Sequence, residues 1–387
     1  MERRLLICFE GVEWAELSAR IDAGELPAFC SLLERGSNGT LGWPSTLPVI
    51  ASAISLATGC NAARHEVLAS HVAEPDPDRV RPALASDRMA ATIWEILAAS
   101  GVAAQAVGWP ASDTTRSGEA EIVSGAFGDP VLPQDHASMA TMICPERLVE
   151  PLAEFVLHPE DTDSEMIEFF IPRWQEINQQ RDPRLAILGQ AIAQTVSVHN
   201  AFTWFLEHAP ASFSSVYYRF SAQIESLRIR SGDGAGDDPF YDATGAAWRY
   251  LDLMLARLVE LAGEAATFYV VGLPPTESAM ATGFVLASGP GIAADGLIFG
   301  AQVTDLAPSI LASMGFTSDD DSFNGRILAE LVPDRARDLE PPRHLSISAA
   351  LPPAVHREAA RESTDRLREF LHRSEGLPIL DNRSQWN

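Results

Sequence analysis

Short apolar runs recur along this chain at Leu5–Phe9, Val102–Val107, Phe213–Phe220, Thr267–Val271 and Gly283–Ala287. A continuous apolar run of this kind, bounded by turn residues, fits a strand buried on both faces. Between the runs, apolar residues return at helical spacing in Leu26–Arg35, Ile50–Ala57, Ala90–Ser100, Ala246–Ala262 and Leu306–Met314. Gly36 and Gly101 stand where the first and third of these helices should stop. Thr40–Trp43 reads as a further short strand. Strands alternating with helices specify an α/β fold, a mainly parallel sheet sandwiched by helices.

The alternation is interrupted once. Over 128–210 strand signals vanish and apolar residues follow helical spacing in 147–157, 164–178 and 184–208. This stretch is expected to be a mostly helical cap inserted between the core segments 1–127 and 211–332. Its aromatics Trp174, Phe202, Trp204 and Phe205 fall at helical spacing, the pattern of a core face. From Pro333 onward, 333–387 reads as a Pro- and Arg-rich tail with one helix, about 353–373. In that helix Arg alternates with Glu and Asp in a way suited to a contact surface.

Charge narrows the function. A formal charge of −25 argues against nucleic acid or an anionic membrane as partner, since both call for basic patches. Every one of the 28 basic residues is arginine, a bias that GC-rich codons explain. The four cysteines, Cys8, Cys30, Cys60 and Cys144, show no CxxC spacing, so neither a zinc knuckle nor a disulfide framework is expected. The apolar run Leu5–Phe9 is too short for a signal peptide or membrane span. Membrane insertion is therefore not expected, and the location expected is cytoplasmic.

Several blocks then fall in a familiar order. Leu6-Ile7-Cys8-Phe9-Glu10-Gly11 is a strand ending in acid-Gly. Leu26–Gly36 follows, then Thr46-Leu47-Pro48 through Ala57-Thr58-Gly59 with His65 beyond. Ile93–Leu97 leads to Val107-Gly108-Trp109-Pro110. Gly283 leads to Gly289-Pro290-Gly291, and Thr304–Leu311 to Phe323-Asn324-Gly325. Taken together over about residues 5–331, these blocks resemble the alkaline phosphatase superfamily, in its type I phosphodiesterase and nucleotide pyrophosphatase branch. Many enzymes of that branch are exported, so a cytoplasmic location would be a departure.

The resemblance implies a Thr or Ser nucleophile flanked by two metal ions about 4 Å apart, held by Asp and His. Most matching positions here hold residues that cannot serve. The first Asp is matched by Glu10, a conservative change. The nucleophile position falls on Val49, which has no nucleophilic atom. The Asp and His after the next strand are matched by Ala222 and Ser226. The Asp-His pair after the following strand is matched by Leu273 and Pro274, and the last His by Ala279. Two close dications need several anionic groups to offset their repulsion, and those groups are missing. No metal and no other cofactor is therefore expected.

Other polar candidates have plainer readings. Asp113 after Trp109-Pro110-Ala111-Ser112 suits a turn. Asp319-Asp320-Asp321 lacks calcium-loop spacing. Asp252, within a helix, suits pairing with Arg249 or a neighbouring helix. Three functions stay open. The first is a non-catalytic protein of the phosphodiesterase scaffold that binds another protein or a copy of itself. The second is an atypical phosphomonoester or phosphodiester hydrolase using Glu10, His65 and a displaced hydroxyl such as Thr46. The third is a small-molecule binder that keeps the old pocket.

Overall fold

In the computed structural model of this chain the residues described are 2–73, 80–115, 118–227, 238–275, 281–319, 321–333 and 343–345. A ten-stranded sheet forms the centre. Its strands are β1 (Arg4–Glu10), β2 (Gly36–Gly42), β5 (Ala104–Trp109), β6 (Glu121–Ser124), β7 (Ile143–Cys144), β8 (Phe213–Tyr218), β9 (Thr267–Leu273), β10 (Gly283–Ser288), β11 (Gly296–Leu297) and β12 (Ala301–Gln302). β3 (His71–Ala73) and β4 (Val80–Pro82) pair separately, antiparallel to each other. The spatial order is β11-β2-β10-β9-β1-β8-β5-β6-β7, with β12 also on β2. The centre, β9-β1-β8-β5-β6, is parallel, and antiparallel pairs lie toward both edges. This is the mainly parallel α/β sheet that the apolar runs predict.

The helices are α1 (Trp14–Asp22), α2 (Pro27–Glu34), α3 (Val49–Thr58), α4 (Ala62–His65), α5 (Ile93–Ala99), α6 (His136–Met142), α7 (Val149–Ala153), α8 (Ser164–Phe170), α9 (Arg184–His208), α10 (Phe220–Glu225), α11 (Ala243–Ala262) and α12 (Leu306–Ser313). β1 shows how they cover the sheet. Its side chains alternate between faces. Leu5, Ile7 and Phe9 join a buried cluster with Phe29 of α2, Phe202 of α9 and Trp248 of α11. Leu6 and Cys8 join a second cluster with Leu56 of α3, Trp94 of α5 and Ile310 of α12. A strand buried on both sides needs no polar alternation, hence its unbroken apolar run.

Local chemistry fixes several helix ends. Glu95 closes a capping box on the Thr92 N–H at 2.8 Å at the start of α5. Asp252 on α11 accepts from the Ala28 and Phe29 N–H groups, both at 3.0 Å, and so caps α2 from a neighbouring helix. Asp113 ties a loop by accepting from the Ala85 N–H at 2.7 Å and the Thr115 N–H at 2.8 Å.

β2 is longer than the expected Thr40–Trp43. It starts at Gly36, in Gly-Ser-Asn-Gly-Thr-Leu-Gly. A β-carbon at Gly36 would meet the Ala287 carbonyl, and one at Gly39 the Ile298 carbonyl. Glycine is there so that neighbouring backbones can close in, and it leaves no apolar pattern to read. Over 128–210, α9 contributes Leu188, Ile192, Phe202 and Phe205 to the same cluster as β1, and Trp174 and Trp204 pack against it. β7 in that stretch pairs with β6. The helix expected at about 353–373 lies outside the described residues, as does the rest of the tail beyond Leu345. Among the described residues no helix is long and apolar enough to cross a membrane.

Candidate functional site

The parallel strands β1, β8 and β9 share one carboxyl end, the usual place for chemistry in an open α/β sheet. β1 ends in Glu10, which stands in register with Leu273 at the end of β9. The chain then turns at Gly11, where φ is +82°, a conformation that suits glycine. The Gly11 and Val12 N–H groups both donate to the Leu273 carbonyl, at 2.8 and 3.1 Å. On the other side, a β-carbon at Gly11 would collide with the backbone of Ala222, in α10. The fold thus brings Glu10, Leu273 and Ala222 together around one turn.

Glu10 is 15% exposed and has two partners. The Tyr217 hydroxyl donates to its Oε2 at 2.7 Å, and the Arg219 Nε lies 3.9 Å from the same oxygen. Burial pushes the Glu10 carboxyl above its usual range, while the Arg219 charge and the Tyr217 hydrogen bond pull it back down. Burial and the nearby Glu10 charge push the Tyr217 phenol well up, so it stays a protonated donor. The Tyr217 ring is held in turn by Trp109, with centroids 5.1 Å apart.

The other positions matched through the resemblance carry no such chemistry. Leu273 is fully buried in the apolar cluster, and Pro274 is buried beside it. Val49 opens α3 and packs against the same cluster. Ser226 is exposed at the end of α10, its hydroxyl donating to the Gln223 carbonyl at 2.6 Å. Ala279 lies outside the described residues. Thr46 is exposed in the loop before α3. His65 is fully buried with both ring nitrogens engaged. Its Nδ1 accepts from the Val67 N–H at 3.1 Å, which leaves Nε2 to donate to the Ser55 hydroxyl at 3.0 Å. Burial drives its pKa down to about 3, against the pull of the Ala51 backbone, so the ring is neutral.

This donor set does not fit two metal ions. One carboxylate, already faced by an arginine, stands among Leu273, Pro274 and Ala222, none of which has a ligating side-chain atom. Among the described residues no three His, Cys, Asp or Glu side chains are grouped so as to hold a metal. A cavity beside Arg219, lined by Gly108, Thr195, Tyr217 and Gln223, measures about 20 Å³. That is room for about one water molecule.

The roles of Tyr217 and Arg219 were not read from the sequence. Their signal was present in the run Tyr217-Tyr218-Arg219, a phenol and a guanidinium at the end of a strand where the resembled family keeps an Asp. Linking them to Glu10 requires the β1–β8 register, which sets Cys8 against Tyr217.

No family model and no curated protein matches the sequence. Solved structures do match in fold. A putative sulfatase from Bacteroides thetaiotaomicron aligns with TM-score 0.53 at 13% identity, covering 85% of this chain and 74% of its own. A 2-O GAG sulfatase aligns with TM-score 0.50 at 14% identity, covering 85% and 73%. Phosphonoacetate hydrolase from Sinorhizobium meliloti aligns with TM-score 0.41 at 17% identity, covering 70% of this chain. The chain spans 55% of that enzyme's length. These neighbours are members of the alkaline phosphatase superfamily. On the two sulfatase matches and the mainly parallel sheet, the fold of this chain is alkaline-phosphatase-like α/β.

Proposed function

We propose that this protein keeps the scaffold of the type I phosphodiesterase branch without its hydrolytic chemistry, and acts by binding another protein as a regulatory or scaffold subunit. The observation that carries this reading is Glu10. Where the family holds a metal, its carboxylate is faced by the Tyr217 hydroxyl and the Arg219 guanidinium. A guanidinium supplies positive charge but neither a Lewis-acid centre nor a bound hydroxide. Val49 at the nucleophile position and the buried Leu273 and Pro274 support the same reading.

The rival hydrolase would draw on His65, and His65 spends both nitrogens inside the fold. The test is bound metal per chain after incubation with zinc and manganese and desalting, run beside phosphomonoester and phosphodiester assays. Near-zero metal and no turnover are expected. One or two equivalents of metal with turnover would overturn the proposal. A shift to larger size on a sizing column in host lysate, absent for the protein alone, is the expected sign of the partner.

A further inference from the structure

A cavity of about 480 Å³ lies between α1 and the N-terminal turns of α11. Small-molecule sites commonly measure about 300–1,000 Å³. α1 contributes Glu16 and Arg20, and the loop after it Glu25. Tyr241 and Asp242, just before α11, and Gly245 and Arg249 within it line the other side. Gly245 makes the opening. Glycine inside a helix is unfavourable relative to alanine. Here a β-carbon would stand 3.3 and 3.6 Å from the two terminal nitrogens of Arg20 and 3.6 Å from Nη1 of Arg249. Two guanidiniums from different helices converge on the space that the missing side chain leaves.

The two arginines are held differently. Nε and Nη2 of Arg20 donate to Glu16 Oε1 at 3.2 and 2.9 Å, and Nη1 donates to Glu25 Oε2 at 2.8 Å. Those bonds fix the guanidinium and leave each terminal nitrogen a second hydrogen. Arg249 is exposed and has no hydrogen-bonded or charged partner among the described residues. Like charges brought this close repel, and an oxyanion between them relieves the repulsion with charge-assisted hydrogen bonds. Asp242, Gly245 and Arg249 fall on one helix face. Asp242 is exposed, and its carboxylate makes no capping bond to α11. Tyr241, 55% exposed, precedes it. The cavity has a cationic end at Arg20 and Arg249 and an acidic, aromatic end at Asp242 and Tyr241.

We propose that this cavity binds a small linear zwitterion, its carboxylate between Arg20 and Arg249 and its ammonium at Asp242. The charge of the lining selects this class. Glu16, Glu25 and Asp242 outnumber the two guanidiniums, so a phosphate dianion would add to an excess of negative charge. A zwitterion meets the same two arginines and brings a cation of its own. That cation finds a carboxylate at Asp242 and an aromatic face at Tyr241. Along the helix axis Asp242 stands about 4.5 Å from Gly245 and about 10.5 Å from Arg249. A carboxylate seated between the levels of Gly245 and Arg249 therefore sits about 5–8 Å from the ammonium. An unbranched ω-amino acid of four to six carbons spans that distance.

The test is calorimetric titration of the full chain with 4-aminobutyrate, 5-aminopentanoate and 6-aminohexanoate, beside pentanoate and inorganic phosphate. At least one of the amino acids is expected to bind about tenfold or more tightly than pentanoate. Arg249→Ala, at an exposed side chain, should weaken that binding by about tenfold or more with the melting temperature unchanged. Asp242→Asn should bring the amino acid down to the affinity of pentanoate. No binding of any amino acid at millimolar concentration overturns the proposal. Equal binding of pentanoate or phosphate to the wild type would mean a plain anion site and overturns it too, as does unchanged affinity in Arg249→Ala. Neither variant touches Glu10, so this inference and the proposed loss of catalysis can fail separately.

Discussion

Two arginine–glutamate pairs in this protein differ in kind. Arg88 is fully buried and grips Glu95 with both terminal nitrogens, at 2.8 and 2.9 Å, while also donating to the Ala90 carbonyl. Arg219 is 52% exposed and stands 3.9 Å from Glu10 through its Nε. The first pair is closed, bidentate and fixed to the backbone. The second is loose and open on one side. Carboxylates kept inside this fold bind backbone N–H groups or a locked guanidinium, as Asp252, Asp113 and Glu95 do. Glu10, at the carboxyl end of β1, has a phenol at 2.7 Å and a half-exposed guanidinium 3.9 Å away. Buried acids in this protein stand where the backbone offers a donor, and Glu10 stands where a phenol does.

That contrast is broken most directly by removing the arginines. Arg88→Ala strands Glu95 inside the protein and is expected to cost about 3–5 kcal/mol. Arg219→Ala, at an exposed pair, is expected to cost less than about 1 kcal/mol. Equal losses in urea unfolding would mean that the two pairs are one kind after all.

His65 gives the next largest effect. Its pKa is depressed to about 3 in the fold, so the folded state refuses a proton that the unfolded chain accepts. Its contribution is full above the unfolded histidine value and is lost as pH falls toward 3, by about 1.4 kcal/mol per pH unit. His65→Gln should flatten the loss of stability between pH 6 and pH 4, whatever its cost at pH 7 (denaturant titration at each pH). An unchanged slope would return His65 to the list of titrating groups at the site.

Tyr217→Phe removes the hydrogen bond to Glu10 and is expected to cost about 1–2 kcal/mol by thermal or urea unfolding. The smallest effect belongs to Glu10→Gln. The folded Glu10 carboxyl lies above its usual range because of burial, so its contribution is present at low pH and lost as pH rises through the raised value. The glutamine variant should therefore gain on the wild type from acid to neutral pH, by less than about 1 kcal/mol. A gain in the opposite direction would show that Arg219 outweighs burial.

The sheet was legible because its central strands are buried on both faces and so are spelled in unbroken apolar letters. β2 was half hidden, since glycines that admit neighbouring backbones carry no pattern. Val49, Ala222, Leu273 and Pro274 could be named from the sequence only through the resemblance, and the structure places Ala222 and Leu273 around the turn at Gly11 beside Glu10. The partners of Glu10 could not be read at all. Tyr217 and Arg219 meet Glu10 only through strand register, which no spacing in the sequence expresses. Asp252 was expected to pair with Arg249 or a neighbouring helix, and it is the N-terminus of α2 that it caps.

The place of β1 has a consequence for biosynthesis. It lies between β8 and β9, which follow it by roughly 200 and 260 residues, so at about 5–20 residues per second it waits some 10–50 s for its partners. For that interval Leu5–Phe9, wholly buried in the finished protein, is nascent chain with nothing to pair with. Of the described strands β1 comes earliest, and it is flanked on both sides only once β9 has been made. Shielding of that apolar run during synthesis is expected to raise the yield of folded protein more than it speeds refolding of the full-length chain.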